Sequence, residues 1–153
     1  MNLENLLNRA IELAKKAHEN QKDKAGKPYI EHCLRVMNNL NTPEEKIVGV
    51  LHDSIEDTDL TIEKLKDKGF SEPILAAILA ITKKDNEEYE TYIKRAIANP
   101  LALRVKIADL KDNMNINRIK NPTAKDYQRL AKYQTIYSRL LKEIATKKKT
   151  EEN

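Results

Sequence analysis

Histidine is scarce in this chain, with three in 153 residues, so the setting of each one is informative. His52 and Asp53 are neighbours at the end of an apolar run that contains Ile47, Val48, Val50 and Leu51. Successive helical residues project about 100° apart, so both side chains can reach one ion lying beside a helix. Glu56 follows His52 by four residues and Asp57 follows Asp53 by four, which places all four groups on neighbouring surface. Three carboxylates and an imidazole so spaced repel one another and weaken the helix unless a cation offsets them. A solvated acidic helix end running into a turn accounts for the same residues, and spacing alone leaves the two readings level.

A second setting lies further along. Asp109 sits inside the apolar run from Leu103 to Leu110, beside Val105, Ile107 and Ala108. A carboxylate in such surroundings needs an ion pair, hydrogen bonds or a metal. Asn113 is four residues on and Lys106 three before, so pairing of Asp109 with Lys106 at a helix edge is the plainer alternative. His32 lies between Ile30 and Leu34, where a lone histidine is ordinarily packed or solvated.

The elements that must carry these residues read as helices throughout. Leu3, Leu6, Leu7, Ala10, Ile11, Ala14 and Ala17 recur at three- and four-residue steps and define a first helix to about His18. Asn20 to Lys27 is a polar loop, and Pro28 opens a second helix with Ile30, Leu34, Met37 and Leu40 as its stripe. Thr42, Pro43 and Glu45 form a capping-box pattern that starts a third helix, continuing through Ile55 into the acidic segment Glu56–Asp59. Thr61 caps a short fourth helix that stops at Gly69, and Ser71 begins a fifth. A sixth spans about Glu87 to Ala98, Pro100 opens a seventh through about Asn113, and Thr123 caps the last. The segment from Thr146 onward is expected to fray.

Bulk composition narrows the function. Hydrophobic residues are 40% and charged residues 34%, which fits a soluble single domain with a real core. No apolar run is long enough to span a bilayer and the N-terminus carries no secretory pattern. The single cysteine, Cys33, builds no disulfide framework and reads as a packed thiol, so the cytoplasm is the expected compartment. A net charge of +4 with aromatics at 5% argues against a nucleic-acid surface and suits a small anionic substrate. An oligomer is compatible with all of this.

Together, the order H…HD…D resembles the signature of the HD phosphohydrolase superfamily. The segments AHENQKDKAGKPYIEH, VLHDSIEDTD, AITK and VKIADLKDNM resemble, in order, those of the hydrolase domain of the RelA/SpoT family. That domain reads approximately AHxGQxRxxGxPYIxHP, LHDxxEDT, LTK and VKLADRxxNM. The resemblance runs from about residue 5 to about residue 137. It implies an all-α fold, a compact HD-domain bundle of about eight helices. Residues 1–145 would form the domain and 146–153 a charged tail. It implies His32, His52, Asp53 and Asp109 as metal ligands, with Mn2+ as the usual ion. Glu56 and Asp57 would be the catalytic acidic pair. Asn113 and Lys106 would lie at the substrate; Lys22 and Lys24, which flank Asp23 in the loop, are read from the residues themselves as further substrate contacts. The implied reaction removes the 3′-pyrophosphate of guanosine tetra- or pentaphosphate by attack of a metal-bound water. Larger relatives also carry a synthetase and regulatory modules, for which this length has no room, so a stand-alone small alarmone hydrolase is expected.

The chain also departs from the pattern. Asp23 stands where the family commonly has an arginine that stacks on guanine, a contact worth about 0.5–2 kcal/mol. Leu110 replaces the arginine of VKLADR, Ile116 a frequent threonine, and Cys33 the proline after the second-helix histidine. The metal and catalytic groups are therefore complete, while the base-binding shell is changed. Two other readings stay open: an HD phosphohydrolase of another nucleotide (an adenosine alarmone, a nucleoside monophosphate or NADPH), or a non-catalytic metal-binding helical module. His18 is read as a surface residue, and Tyr29 as packing beneath the ligand-bearing helix.

Overall fold

The computed structural model describes residues 2–152, so Met1 of the expected domain and Asn153 of the expected tail lie outside the described residues. Within them the chain is all helical apart from one isolated bridge. The helices are α1 (Leu3–Ala17), α2 (Ile30–Asn38), α3 (Pro43–Leu51), α4 (Ser54–Asp57), α5 (Ile62–Asp67), α6 (Glu72–Ile81), α7 (Tyr89–Ala98), α8 (Pro100–Asn113) and α9 (Ala124–Glu152). A 3-10 turn, Ile116–Arg118, links α8 to α9. None of the described helices is long and apolar enough to cross a membrane.

Local chemistry sets most boundaries. Thr42 and Glu45 form the reciprocal capping box that starts α3, and Thr61 Oγ1 accepts from Lys64 N to start α5. Asn99 Oδ1 accepts from Ala102 N, and Pro100 occupies the first turn of α8, where its missing N–H costs nothing. Gly69 adopts φ +97° after α5, a left-handed conformation that closes the helix.

Three boundaries differ from the sequence reading. Pro28 does not open α2, because it pairs with Lys22 in an antiparallel bridge and the helix begins at Ile30. The third helix breaks after Leu51. His52 Nδ1 and Ser54 Oγ donate to the carbonyls of Gly49 and Leu51, at 2.5 and 2.7 Å, and a separate turn, α4, follows. The C-terminal segment does not fray at Thr146. α9 runs on to Glu152, with Lys147 Nζ bonded to the Ile97 carbonyl at 2.5 Å, where a cation meets the last turn of α7.

The helices bury two apolar clusters. The larger joins α1, α2, α3, α5, α6 and one face of α8, with Ile47, Val48, Val50 and Leu51 wholly inside it. The smaller joins α7, α8 and α9 through Tyr92, Ile93, Leu103, Leu110 and Leu140. α8 serves both, so its residues are buried on most sides and Asp109 is carried into the interior. Gly49 lets α3 lie close to α2: a Cβ there would stand 2.6 Å from Leu40 Cδ1. This approach sets His32 opposite His52.

Candidate metal centre

Three elements aim polar side chains at one point. α2 supplies His32, the corner between α3 and α4 supplies His52 and Asp53, and α8 supplies Asp109. One ligand atom from each lies within 4.8 Å of all the others. His52 Nε2 is 2.9 Å from Asp53 Oδ2 and 3.1 Å from Asp109 Oδ1, and His32 Nε2 is 3.0 Å from that same Asp109 oxygen. His32 Nε2 and Asp53 Oδ2 stand 3.7 Å apart. Spacings of this size would let the four groups hold one cation between them.

The hydrogen bonds behind the rings make the same point. A carbonyl can only accept, so His52 Nδ1 carries the proton that it shares with Gly49 O, and Nε2 is left facing the two carboxylates. His32 Nδ1 likewise donates to Asp112 Oδ2 at 2.6 Å. His32, His52 and Asp109 are all buried. Two imidazole lone pairs set against two carboxylates in a dry pocket repel unless positive charge lies among them. Burial opposes charge on His32, but hydrogen bonds that its ring donates to Asp109 and Asp112 outweigh it and raise its pKa. Burial opposes charge on His52 too, and the charges of Asp53 and Asp109 carry its pKa well above the ordinary value. The field at this point calls for a cation, and two imidazoles with two carboxylates suit a divalent transition metal.

Neighbouring groups lock the ligands in place. Tyr29 Oη donates to Asp53 Oδ2 at 2.5 Å, so this ring does more than pack. Asn113 Nδ2 donates to Asp109 Oδ1 at 3.1 Å. Lys106 Nζ donates to Asp109 Oδ2 at 2.9 Å and lies 5.3 Å from the centre of the Tyr92 ring. Burial opposes its charge, yet Asp109 holds its pKa well above normal. The ion pair between Asp109 and Lys106, set out from sequence as the alternative to a metal, therefore exists alongside the ligand cluster, because the two carboxylate oxygens face different ways.

Glu56 and Asp57 stand on α4 at the exposed rim of this pocket. Partial burial, then the negative charge of Asp53, raises the pKa of both carboxyls. Beside the pocket opens a cleft of about 440 Å3, whose wall includes His32 and Asn113. Its other walls are strongly basic: Lys22 and Lys24 from the loop, Arg35 of α2, Arg118 of the 3-10 turn, and Arg129 of α9 with Tyr133 one turn on. Burial and then the charge of Arg129 lower the Lys24 pKa, a sign of crowded cations.

Of the sequence-derived substrate residues, Lys22, Lys24 and Asn113 line this cleft and Lys106 does not. Arg35, Asp112, Arg118, Arg129 and the Tyr29 hydroxyl were not picked out from the sequence. The Arg129–Tyr133 spacing on α9 and the three-residue step from Asp109 to Asp112 are the only local signals they left.

Two readings are corrected, and a third residue has a structural role that the sequence did not show. His18 is buried, at 1% exposure, because the loop folds back over the end of α1; its Nδ1 bonds to Gln21 Oε1 at 2.7 Å and Tyr29 packs on its ring. Leu110 belongs to the core between α8 and α9, not to a base-binding shell. Asp23 lines the cleft, but its Oδ1 accepts from the backbone N–H groups of Ala25 and Lys27, each at 2.9 Å, and so builds the turn of its own loop.

Comparison with known proteins agrees with this geometry. Residues 10–141 match the family model described as HD domain. A guanosine-3′,5′-bis(diphosphate) 3′-pyrophosphohydrolase of Aquifex aeolicus is 36% identical over 120 residues, which are 71% of this chain and 17% of that protein. A GTP pyrophosphokinase of Streptomyces coelicolor is 33% identical over 125 residues, 73% of this chain and 15% of that one. The chain thus spans about a sixth of the length of these curated relatives. A solved structure of a metazoan SpoT ortholog that hydrolyses ppGpp superposes with a TM-score of 0.71 at 21% identity, covering 90% of this chain and 84% of that one, and shares the fold.

Proposed function

The chain belongs to the HD domain family, and on that premise we propose that it is a metal-dependent phosphohydrolase. Its substrate is guanosine tetra- or pentaphosphate, or a closely related purine nucleotide, from which it removes the 3′-pyrophosphate. The observation that carries this reading is the juxtaposition of a four-ligand cluster, an acidic pair at its rim and a basic cleft beside it. Relatives named for making the alarmone and for breaking it both match. Hydrolysis is favoured here because carboxylates and imidazoles dominate the site.

His32, His52, Asp53 and Asp109 hold the ion, and Mn2+ is the ion we assign. When bound, such a metal polarises a phosphoryl oxygen and makes hydroxide available near neutral pH. Glu56 and Asp57 orient the attacking water and accept its proton, a role that their place on α4 beside the ligand corner allows. Lys22 and Lys24, with Arg129, hold the anionic phosphates, and Asn113 stands where the cleft meets the metal pocket. Tyr29 and Lys106 hold Asp53 and Asp109 in place, so neither needs to touch substrate. We assign residues 1–145 to the hydrolase domain, 146–153 to a charged tail, and the cytoplasm as the place of action.

The complete acidic pair speaks against a purely structural metal module. The test is product analysis with Mn2+ across a panel of guanosine and adenosine 3′-pyrophosphates, nucleoside monophosphates and NADPH. Pyrophosphate release from the guanosine alarmone is the expected result. Turnover of another member of the panel alone would move the assignment to that nucleotide, and turnover of none would remove it.

A further inference from the structure

One buried carboxylate is shared between the metal pocket and the cleft wall. Asp112 is 7% exposed and lies on α8, one turn beyond Asp109. Its Oδ2 accepts from His32 Nδ1 at 2.6 Å. Arg35 grips both of its oxygens, Nε to Oδ1 at 2.8 Å and Nη2 to Oδ2 at 3.2 Å. Arg118 Nη2 reaches Oδ2 at 3.1 Å and also donates to the Asp112 backbone carbonyl. Both arginines line the cleft, and their side-chain hydrogen bonds among the described residues go to Asp112.

We infer that Asp112 is the positioning residue for His32, and that Arg35 and Arg118, which fix Asp112 from the cleft side, set the affinity of the metal pocket at a distance. The inference rests on the metal centre proposed above. A carboxylate on the far nitrogen of an imidazole fixes the tautomer that offers Nε2, holds the ring plane and makes the ring a stronger donor. An isolated carboxylate in this position would swing or seek water. Planar guanidinium groups hold it in two fixed directions, which a lysine could not do. Arg35 and Arg118 are therefore not free phosphate binders. They are the link through which the cleft wall supports the metal.

The experiment measures divalent-metal affinity by calorimetry on the full chain, with Mn2+ and with Co2+, whose visible spectrum reports the ligand shell. Asp112→Ala is expected to weaken binding about 10–100-fold, the range for loss of such a supporting group. Asp112→Asn, which keeps an acceptor oxygen without the charge, should fall between it and wild type. Arg35→Met combined with Arg118→Met should weaken binding about 3–30-fold and shift the Co2+ spectrum, although both side chains lie outside the ligand shell. Circular dichroism of the metal-free chains should be unchanged. If Asp112→Ala does not fold, the isosteric Asp112→Asn decides alone, and a wild-type affinity and spectrum there would overturn the inference. Unchanged affinity in the double arginine variant overturns the link to the cleft while leaving the metal centre intact. A wild-type chain that binds neither metal overturns the inference together with the function proposed above.

Discussion

The metal pocket and the cleft beside it are built on opposite principles. Every group in the pocket sits on a helix or at a helix corner, is buried or (Asp53) half-buried, and has a named hydrogen-bond partner: Gly49 O behind His52, Asp112 behind His32, Lys106 and Asn113 on Asp109, Tyr29 on Asp53. In the cleft, Lys22 and Lys24 are exposed and come from a polar loop, and the arginines come from three separate elements. Geometry at the metal is over-determined, whereas the cleft joins two arginines tied to Asp112 with lysines that stand exposed on a loop. The departures from the RelA/SpoT pattern fall outside the four clustered residues and the acidic pair.

This contrast fixes the expected order of effects. The largest belongs to the pocket: His52→Ala or Asp109→Ala should take metal content from about one ion per chain to none, and turnover with it, by about a thousandfold or more. Metal analysis of the purified variants checks this, and full occupancy in both would dissolve the four-ligand set. At the rim, Glu56→Gln and Asp57→Asn should lower kcat about 10²–10⁴-fold with metal content and melting temperature unchanged. Wild-type kcat in both would show that the rim carboxylates are only a solvated helix end.

Cleft changes should be smaller and of another kind. Replacing Lys22 and Lys24 together by methionine should raise KM several-fold, leave kcat nearly constant and flatten the dependence of KM on salt, since exposed cations act through screened attraction. A kcat that fell in step with the rise in KM would mean that the lysines act in the transition state, and the contrast would blur. The smallest effect concerns Asp23. Asp23→Ala removes the acceptor of two loop N–H groups and should cost about 1 kcal/mol of stability, read from a denaturant titration. Asp23→Arg should share that cost and bring no gain in affinity for guanine nucleotides. A clear fall in KM in that variant would restore residue 23 as a base-stacking position.

Several features were legible in the sequence for local reasons. The capping box at Thr42, Pro100 in the first turn of α8 and the stop at Gly69 satisfy or forgo backbone bonds within a few residues, so neighbours in sequence suffice to specify them. The helical class follows from the same short-range periodicity. The ordered motifs pointed to His32, His52, Asp53 and Asp109, which the fold gathers into one cluster.

What tertiary structure alone decided is whatever depends on groups far apart in the chain. The partner of Asp112 is His32, 80 residues away, and the break after Leu51 depends on His52 turning back to Gly49 while its other nitrogen faces α8. Leu110 reads from sequence as a lost arginine, yet α9 covers it and makes it core. Asp23 reads as a lost stacking group, yet the fold of its loop aims its carboxylate at the backbone. Motif spacing carries no information about which face of a helix another helix will cover, because that is set by apolar burial summed over the whole bundle. The sequence therefore determined the kind of chemistry, and the packing of α2, α3, α8 and α9 decided which side chains surround it and where a substrate can lie.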